Sequence, residues 1–168
     1  MTPFPSNAVT TNVADAPAYW FLDILWIILA DGADTDGRYC LMEQLMPEGA
    51  GPKPHVHPNG DEHFYVLDGS MRMTVGERTF DAGPGGSVWI PRGVVHHFKV
   101  SSETCRVLNT FAPAGMEQVI KSVGRPAETR TLPPAGSQFD PAKIGVFANN
   151  YWGAESELAF SRPPWSMS

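Results

Sequence analysis

From residue 20 to residue 111, short apolar segments alternate with turn residues, and this pattern is the sequence feature that most constrains the fold. Glycine and proline stand between many of them, as in the turns at residues 58–60 and 83–86. Such spacing is typical of antiparallel strands in a sandwich or barrel and does not suit a helical bundle. The predicted strands are residues 20–30, 38–46, 62–67, 71–75, 78–80, 87–90, 96–100 and 105–111.

Helical periodicity replaces strand alternation after Pro113. Apolar residues recur at spacings of three and four in two stretches: Met116, Val119, Ile120 and Val123, then Ile144, Phe147, Ala148 and Tyr151. Gly124 ends the first stretch, Asp140 and Pro141 supply an N-cap and a first helical residue for the second, and Gly153 ends it. Two short C-terminal helices that pack on the barrel are therefore predicted.

The composition fits one folded domain. Of 168 residues, 42% are hydrophobic and 18% charged, which is enough apolar material for one sizeable core. We expect a single domain over residues 1–168, made of an N-terminal arm (1–18), a barrel (19–112) and a helical cover (113–168). The two cysteines, Cys40 and Cys105, lie in apolar runs and are expected to be buried, reduced thiols.

Charge and hydropathy exclude several classes of partner. The formal net charge is −6 and no cluster of lysine and arginine occurs, so neither nucleic acid nor an anionic membrane is an expected partner.

Residues 1–11 lack the basic and apolar regions of a signal peptide. The apolar run at residues 21–30 is too short to cross a bilayer. A cytoplasmic protein is expected.

Three histidines and one glutamate carry the functional signal: His55, His57, Glu62 and His96. Imidazole and carboxylate groups together form a ligand set for first-row transition metals. The two segments that hold these residues are framed by Gly49 and Gly69 and by Gly85, Pro91 and Gly93. Because so many specified positions rarely coincide by chance, the joint pattern predicts one metal site.

Strand geometry predicts how three of the ligands meet. His55 and His57 are two residues apart, so on a strand both imidazoles point to the same face. The turn at residues 58–60 then reverses the chain, and Glu62 opens the returning strand. One hairpin is therefore expected to supply three ligands.

Alternation also separates true ligands from their neighbours. His96 shares a strand face with Phe98 and Val100, whereas His97 shares the other face with Lys99 and Ser101. The apolar face should point into the barrel, which makes His96 the fourth ligand and leaves His97 at the surface. By the same rule Asp61 and His63 point away from Glu62 and from the metal.

The ligand set indicates what the site can bind. Three neutral imidazoles and one carboxylate around a dication leave a net charge of +1, which favours an anionic or enolisable small molecule. Fe, Mn, Ni, Co, Cu and Zn all accept these ligands, so the identity of the divalent ion stays open. Glu62 is the one ligand that can also carry a proton, and it is the candidate general base.

Both framed segments resemble the two motifs of the cupin superfamily, although Val100 stands where the second motif usually has asparagine. Residues 61–69 and 88–96 resemble the quercetinase-like branch of that superfamily. The resemblance implies an all-β double-stranded β-helix, or jelly-roll barrel, which is expected to form a homodimer. It also implies a dioxygenase that uses O2, with the metal on a deprotonated substrate hydroxyl and Glu62 taking the proton.

Three functions remain open on the sequence alone. The first is a metal-dependent dioxygenase that acts on a small aromatic or enolisable substrate. The second is an O2-independent, metal-assisted isomerase, cyclase or lyase, and the third is a non-catalytic cupin that binds a small molecule. Phe64, Met73 and Phe98 are expected to lie inward near the metal, where they either form an apolar substrate pocket or simply fill the barrel.

Overall fold

Two antiparallel sheets form the protein, which we describe from a computed structural model over residues 8–143 and residue 145. One sheet has seven strands in the order β10-β1-β2-β3-β9-β4-β7, and the other has three in the order β6-β5-β8. The elements are β1 (Ala18–Phe21), β2 (Ile24–Ala30), β3 (Cys40–Pro47), β4 (Asp61–Asp68), β5 (Met71–Val75), β6 (Arg78–Ala82), β7 (Ser87–Ile90), β8 (His96–Val100), β9 (Thr104–Ala112), α1 (Met116–Val123) and β10 (Arg125–Pro126). The predicted all-β jelly-roll class is confirmed.

The main core lies between the inner faces of the two sheets. Burial alternates along β9 and β4, as expected for strands with one face on a core. Both sheets contribute to one apolar cluster, which includes Met42, Met46, Phe64, Val66, Met73, Val88, Phe98 and Val107. Each fully buried side chain of this size stabilises the fold by roughly 1.5–3 kcal/mol.

Residues 20–30 are extended as predicted but do not form one strand, because the chain reverses at residues 22–23 and forms the β1–β2 hairpin. Phe21 pairs with Ile24, and Leu22 turns the chain in the left-handed region at φ 56. Both faces of this hairpin are buried: one joins the main core, and the other packs in a second cluster around Trp20 and Leu25. Because apolar residues lie on both sides of Asp23 and on both faces of the hairpin, an argument based on alternation did not reveal the turn.

Helix α1 has the predicted bounds, and it ends at the predicted glycine. Met116, Ile120 and Val123 face the core. Gly124 has an extended backbone, with φ −72, so the helix does not end in a left-handed cap. A Cβ at this position would lie 2.7 Å from the Ile120 carbonyl oxygen and 2.9 Å from Tyr19 Cβ. Close packing, and not a left-handed backbone, thus requires glycine here.

The start of the second predicted helix also lies within the described residues. Residues 141–143 are helical, and the Ala142 N–H donates to the Asp140 carboxylate at 2.9 Å, as expected for an N-cap. The remaining predicted positions, Ile144, Phe147, Ala148, Tyr151 and Gly153, lie outside the described residues. Among the helices that are described, none has the length and apolar character needed to cross a membrane.

Both cysteines are free and buried, as predicted. Burial, reinforced by Glu117, raises the pKa of the Cys40 thiol to about 12. Burial also raises the pKa of Cys105, to about 11. Since the thiolate is the reactive form, both side chains are inert parts of the packing at neutral pH.

Candidate metal centre

The four predicted ligands converge at one end of the space between the sheets. One ligand atom from each of His55, His57, Glu62 and His96 lies within 4.8 Å of every other. All four side chains are buried, and His96 is only 1% exposed. Within the described residues, no other group of three or more histidine, cysteine, aspartate or glutamate side chains has this arrangement.

The backbone around His55 and His57 differs from the predicted hairpin. His55 forms an isolated antiparallel bridge with His96, in which each backbone N–H donates to the other residue's carbonyl oxygen. The nitrogen-to-oxygen distances are 3.0 and 2.9 Å. The Gly93 N–H donates to the His57 carbonyl at 2.9 Å. His55 thus lies beside the first residue of β8 in the smaller sheet and His57 beside the turn that precedes it, whereas Glu62 comes from β4 of the larger sheet. The expectation that one hairpin supplies three ligands was wrong, although the Glu62 carboxylate does reach the His57 ring, at 3.1 Å.

Alternation correctly predicted which neighbours turn away from the cluster. Asp61 faces outward and forms an ion pair with Arg92, whose Nε lies 3.1 Å from the carboxylate. His63 points to the same outer face, where its Nε2 lies 2.8 Å from the Ser87 hydroxyl. His97, next to the buried His96, is only partly buried.

Backbone carbonyls fix the orientation of two imidazoles. Nδ1 of His55 lies 2.9 Å from the Lys53 carbonyl oxygen, and Nδ1 of His96 lies 2.8 Å from that of Val94. A carbonyl oxygen only accepts hydrogen bonds, so each Nδ1 carries the proton and Nε2 is the remaining ligand atom. Metal-binding histidines are commonly held by this kind of contact.

The Glu62 carboxylate is the electrostatic centre of the cluster. Its Oε2 lies 3.1 Å from His57 Nε2 and 3.0 Å from His96 Nε2. Burial alone would raise the pKa of Glu62, but the hydrogen bonds with His57 and His96 outweigh it and hold that pKa well below its usual range. Glu62 is therefore an anion at neutral pH.

The pKa values of His96 and His55 are shifted in opposite directions, although the charge of Glu62 raises both. Burial lowers the pKa of His96, but the hydrogen bond and charge of Glu62 outweigh it, so the pKa is raised overall. Burial, together with the neighbouring rings of His96 and His57, holds the pKa of His55 well below its usual value. When His96 is protonated, it forms an ion pair with Glu62 at the place where a cation would bind.

The donor set and its dimensions fit a single transition-metal ion. Two ligand atoms bonded to one ion at about 2.0–2.2 Å can be at most about 4.4 Å apart. The observed limit of 4.8 Å requires the side chains to move together by only a few tenths of an ångström. Buried imidazoles with oriented Nε2 atoms and one anionic carboxylate are the ligands such an ion needs.

Two site residues were missed by the sequence argument. The Asn109 amide Nδ2 donates to Glu62 Oε1 at 3.0 Å, and the Gln44 amide Nε2 donates to Asn109 Oδ1 at 2.8 Å. Both amides are buried. The strand alternation could have revealed them, because each is the one polar residue on an otherwise apolar inward face. Asn109, for example, lies between Val107 and Phe111 on the inward face of β9.

Apolar side chains continue the interior beyond the ligands. Phe64, Met73 and Phe98 are all buried, and the rings of Phe64 and Phe98 meet edge to face at 5.2 Å between centroids. The Phe111 ring also packs against His57, at 5.6 Å between centroids. The predicted inward orientation of Phe64, Met73 and Phe98 is confirmed, and these side chains belong to the main packed core.

Comparison with known sequences places the site within a recognised domain type. The cupin domain family matches residues 42–111, which include all four ligand candidates. Quercetin 2,3-dioxygenase of Bacillus subtilis is 28% identical over 120 residues, covering 70% of this chain. The matched region spans only 36% of that enzyme's length. An uncharacterized protein of Streptomyces coelicolor is 38% identical over 95 residues, which cover 50% of this chain and 88% of that protein.

Solved structures share the fold. The polyketide cyclase RemF of Streptomyces resistomycificus aligns with a TM-score of 0.55 at 23% identity, over 86% of this chain and 99% of its own. At this level of identity the likeness concerns the arrangement of strands. It agrees with the two-sheet barrel and says nothing of the reaction.

Proposed function

Since the chain belongs to the cupin superfamily, we propose that it is a metal-dependent dioxygenase that acts on a small aromatic or enolisable substrate. The observation that carries the proposal is the buried cluster of His55, His57, Glu62 and His96. The partial match to a quercetin 2,3-dioxygenase supports the choice of reaction. The surrounding barrel supplies an enclosed, largely apolar setting for it.

In this proposal the Nε2 atoms of the three histidines and Oε2 of Glu62 hold one divalent transition metal. When bound, such an ion offers a positive centre for an anionic oxygen of the substrate or for O2. The protein's own contribution is to hold the ligands in place, through the Nδ1 contacts of His55 and His96, and to exclude water by burial. Reactive species are protected from hydrolysis in such an enclosed site.

Glu62 has a second proposed role, as the base that removes the proton of a substrate hydroxyl. A base must be unprotonated at working pH, and Glu62 meets this condition because its pKa is lowered. It is also the only carboxylate among the four proposed ligands. Oε2 is the oxygen that faces the cluster, and because it is also the proposed metal ligand, Glu62 would release the ion when Oε2 takes the proton.

Oxygen uptake tests the dioxygenase proposal. The protein is loaded in turn with Fe, Mn, Co, Ni and Cu, and O2 consumption is followed with a panel of flavonols and other enolisable aromatics. We expect uptake that depends on both metal and substrate, that is lost in Glu62→Gln and that persists in the outward-facing control His97→Ala. If no metal and substrate give uptake above the protein-free rate, the dioxygenase proposal is wrong.

A second candidate is an O2-independent, metal-assisted isomerase, cyclase or lyase. It is favoured by the donor set, because three imidazoles and one carboxylate suit redox-inactive zinc as well as redox-active ions. Turnover of the same panel by the zinc-loaded protein under anaerobic conditions would support it. Tight binding of a panel member without product would instead support a non-catalytic binding protein.

A further inference from the structure

The two oxygens of the Glu62 carboxylate have different surroundings. Oε2 faces the imidazoles of His57 and His96, at 3.1 and 3.0 Å. Oε1 faces away from them and accepts a hydrogen bond from the Asn109 amide at 3.0 Å. Glu62 is 5% exposed, so water competes little for either oxygen. The carboxylate thus has one side toward the proposed ligands and one side toward the barrel wall.

Asn109 is itself held in a single orientation. A carboxylate only accepts hydrogen bonds, so the amide must present Nδ2, and not Oδ1, to Glu62. Oδ1 then faces Gln44, whose Nε2 donates to it at 2.8 Å. Asn109 is fully buried and Gln44 is 2% exposed. The three residues lie on the adjacent strands β3, β9 and β4, so the sheet fixes the spacing of the chain of hydrogen bonds.

We propose that Asn109, oriented by Gln44, is a positioning residue that reserves Oε1 and leaves Oε2 as the single oxygen by which Glu62 binds the metal. This inference depends on the proposed metal site. One-oxygen binding keeps a coordination position open, which a substrate oxygen or O2 needs. Without the amide, Oε1 can turn toward the ion and occupy that position, or the whole carboxylate can move away from it.

Two variants separate positioning from mere packing. Asn109→Ala removes the donor to Glu62, and it also leaves the buried Gln44 amide without this partner. The double variant Gln44→Met, Asn109→Ala removes the donor too, but it replaces both polar groups with apolar ones of nearly the same total volume. Replacing both partners costs less stability than orphaning one. Thr110→Val, on the opposite face of β9, is the matched control.

Cobalt(II) is a suitable probe, because its visible absorption weakens as its coordination number rises. Each protein is titrated with Co²⁺, and the dissociation constant, the visible spectrum and the denaturation midpoint of the metal-free form are measured. We expect the control to match the wild type. Both Asn109 variants should show a dissociation constant roughly 10–100-fold higher and an altered spectrum. The double variant should nevertheless have a higher denaturation midpoint than Asn109→Ala.

The outcomes distinguish this inference from the proposed function. If the double variant regains the wild-type spectrum and affinity along with stability, or if the spectrum is unchanged in both variants, the amide pair is only packing and the inference is wrong. If the wild-type protein takes up no Co²⁺, the metal site itself is wrong, and the inference is overturned with it.

Discussion

His96, on the smaller sheet, contacts Glu62 of the larger sheet and is one of the four proposed metal ligands. Its Nδ1 is fixed by the Val94 carbonyl, and its Nε2 lies 3.0 Å from Glu62. We therefore expect His96→Ala to lose most of its bound metal, whereas His97→Ala keeps it, because His97 points to the other face of β8. Elemental analysis of the two variants, purified without chelators, checks this. Equal retention in both would contradict the assignment of faces.

The same residue sets the expected pH dependence of metal uptake. Metal must displace the Nε2 proton of His96, whose pKa is raised above the ordinary value of about 6.5. Affinity should therefore rise with pH up to that raised pKa and level off above it, with a loss of about tenfold per unit below it. His55, whose pKa is lowered, is already neutral near pH 6.5 and adds a second proton only at more acidic pH.

Metal retained after dialysis, measured at intervals between about pH 8 and pH 5, tests this dependence. The His97→Ala variant is the control and should follow the wild-type curve. Retention that is constant over the whole range would show that imidazoles do not hold the ion.

The segment at residues 49–57 has no regular structure beyond the bridge at His55, and it carries two of the four proposed ligands. It lies along β8, with the Val100 N–H donating to the Ala50 carbonyl at 2.8 Å. Gly51 has φ +143, and a Cβ there would lie 2.0 Å from the Phe98 carbonyl oxygen. The close approach that carries His55 to His96 therefore depends on glycine.

Gly51→Ala should displace this segment from β8 and lower the free energy of unfolding by roughly 1–3 kcal/mol, with weaker metal binding. Gly37→Ala is the matched control, since Gly37 also has a positive φ, of +72, but nothing lies within 4 Å of its added Cβ. Chemical denaturation of both variants measures the difference. An equal loss of stability would mean that the contact with Phe98 does not matter.

The elements show what could be predicted from sequence and what could not. Strands β5, β7 and β8 have their predicted bounds, and alternation correctly turned His96 inward and His97 outward. Strand bounds and the direction of a side chain depend on residues next to each other in sequence, so the sequence pattern is sufficient to predict them. The pairing of His55 with His96 joins residues far apart in sequence, and no local pattern reports it.

The position of Asn109 illustrates a signal that was present but not used. On β9 it occupies an inward position between buried apolar residues, as Gln44 does on β3. A buried amide requires partners, so each of these positions predicts a polar neighbour inside the barrel. The partner of Asn109 proved to be the only carboxylate of the proposed site.

At the scale of the whole molecule, the proposed ion would link the two sheets. Glu62 belongs to the larger sheet and His96 to the smaller one, and His55 is bridged to His96. A metal held between them binds the folded state and not the unfolded chain. It should therefore stabilise the protein by about 2.7 kcal/mol at a free concentration of 100 times its dissociation constant.

We expect the melting temperature to fall when metal is removed with a chelator and to recover when metal is restored. His96→Ala should show neither change, because it lacks the link between the sheets. Differential scanning calorimetry of both proteins, with and without chelator, measures the effect. A wild-type melting temperature that is insensitive to metal would contradict a site between the sheets.

The most direct test of the central claim is an anomalous difference map from a crystal of the metal-loaded protein, recorded at the absorption edge of the bound metal. We predict one peak among His55, His57, Glu62 and His96, about 2.0–2.2 Å from the three Nε2 atoms and from Oε2 of Glu62. A peak elsewhere, or none at this cluster despite stoichiometric metal, would contradict the claim that these four side chains hold one ion.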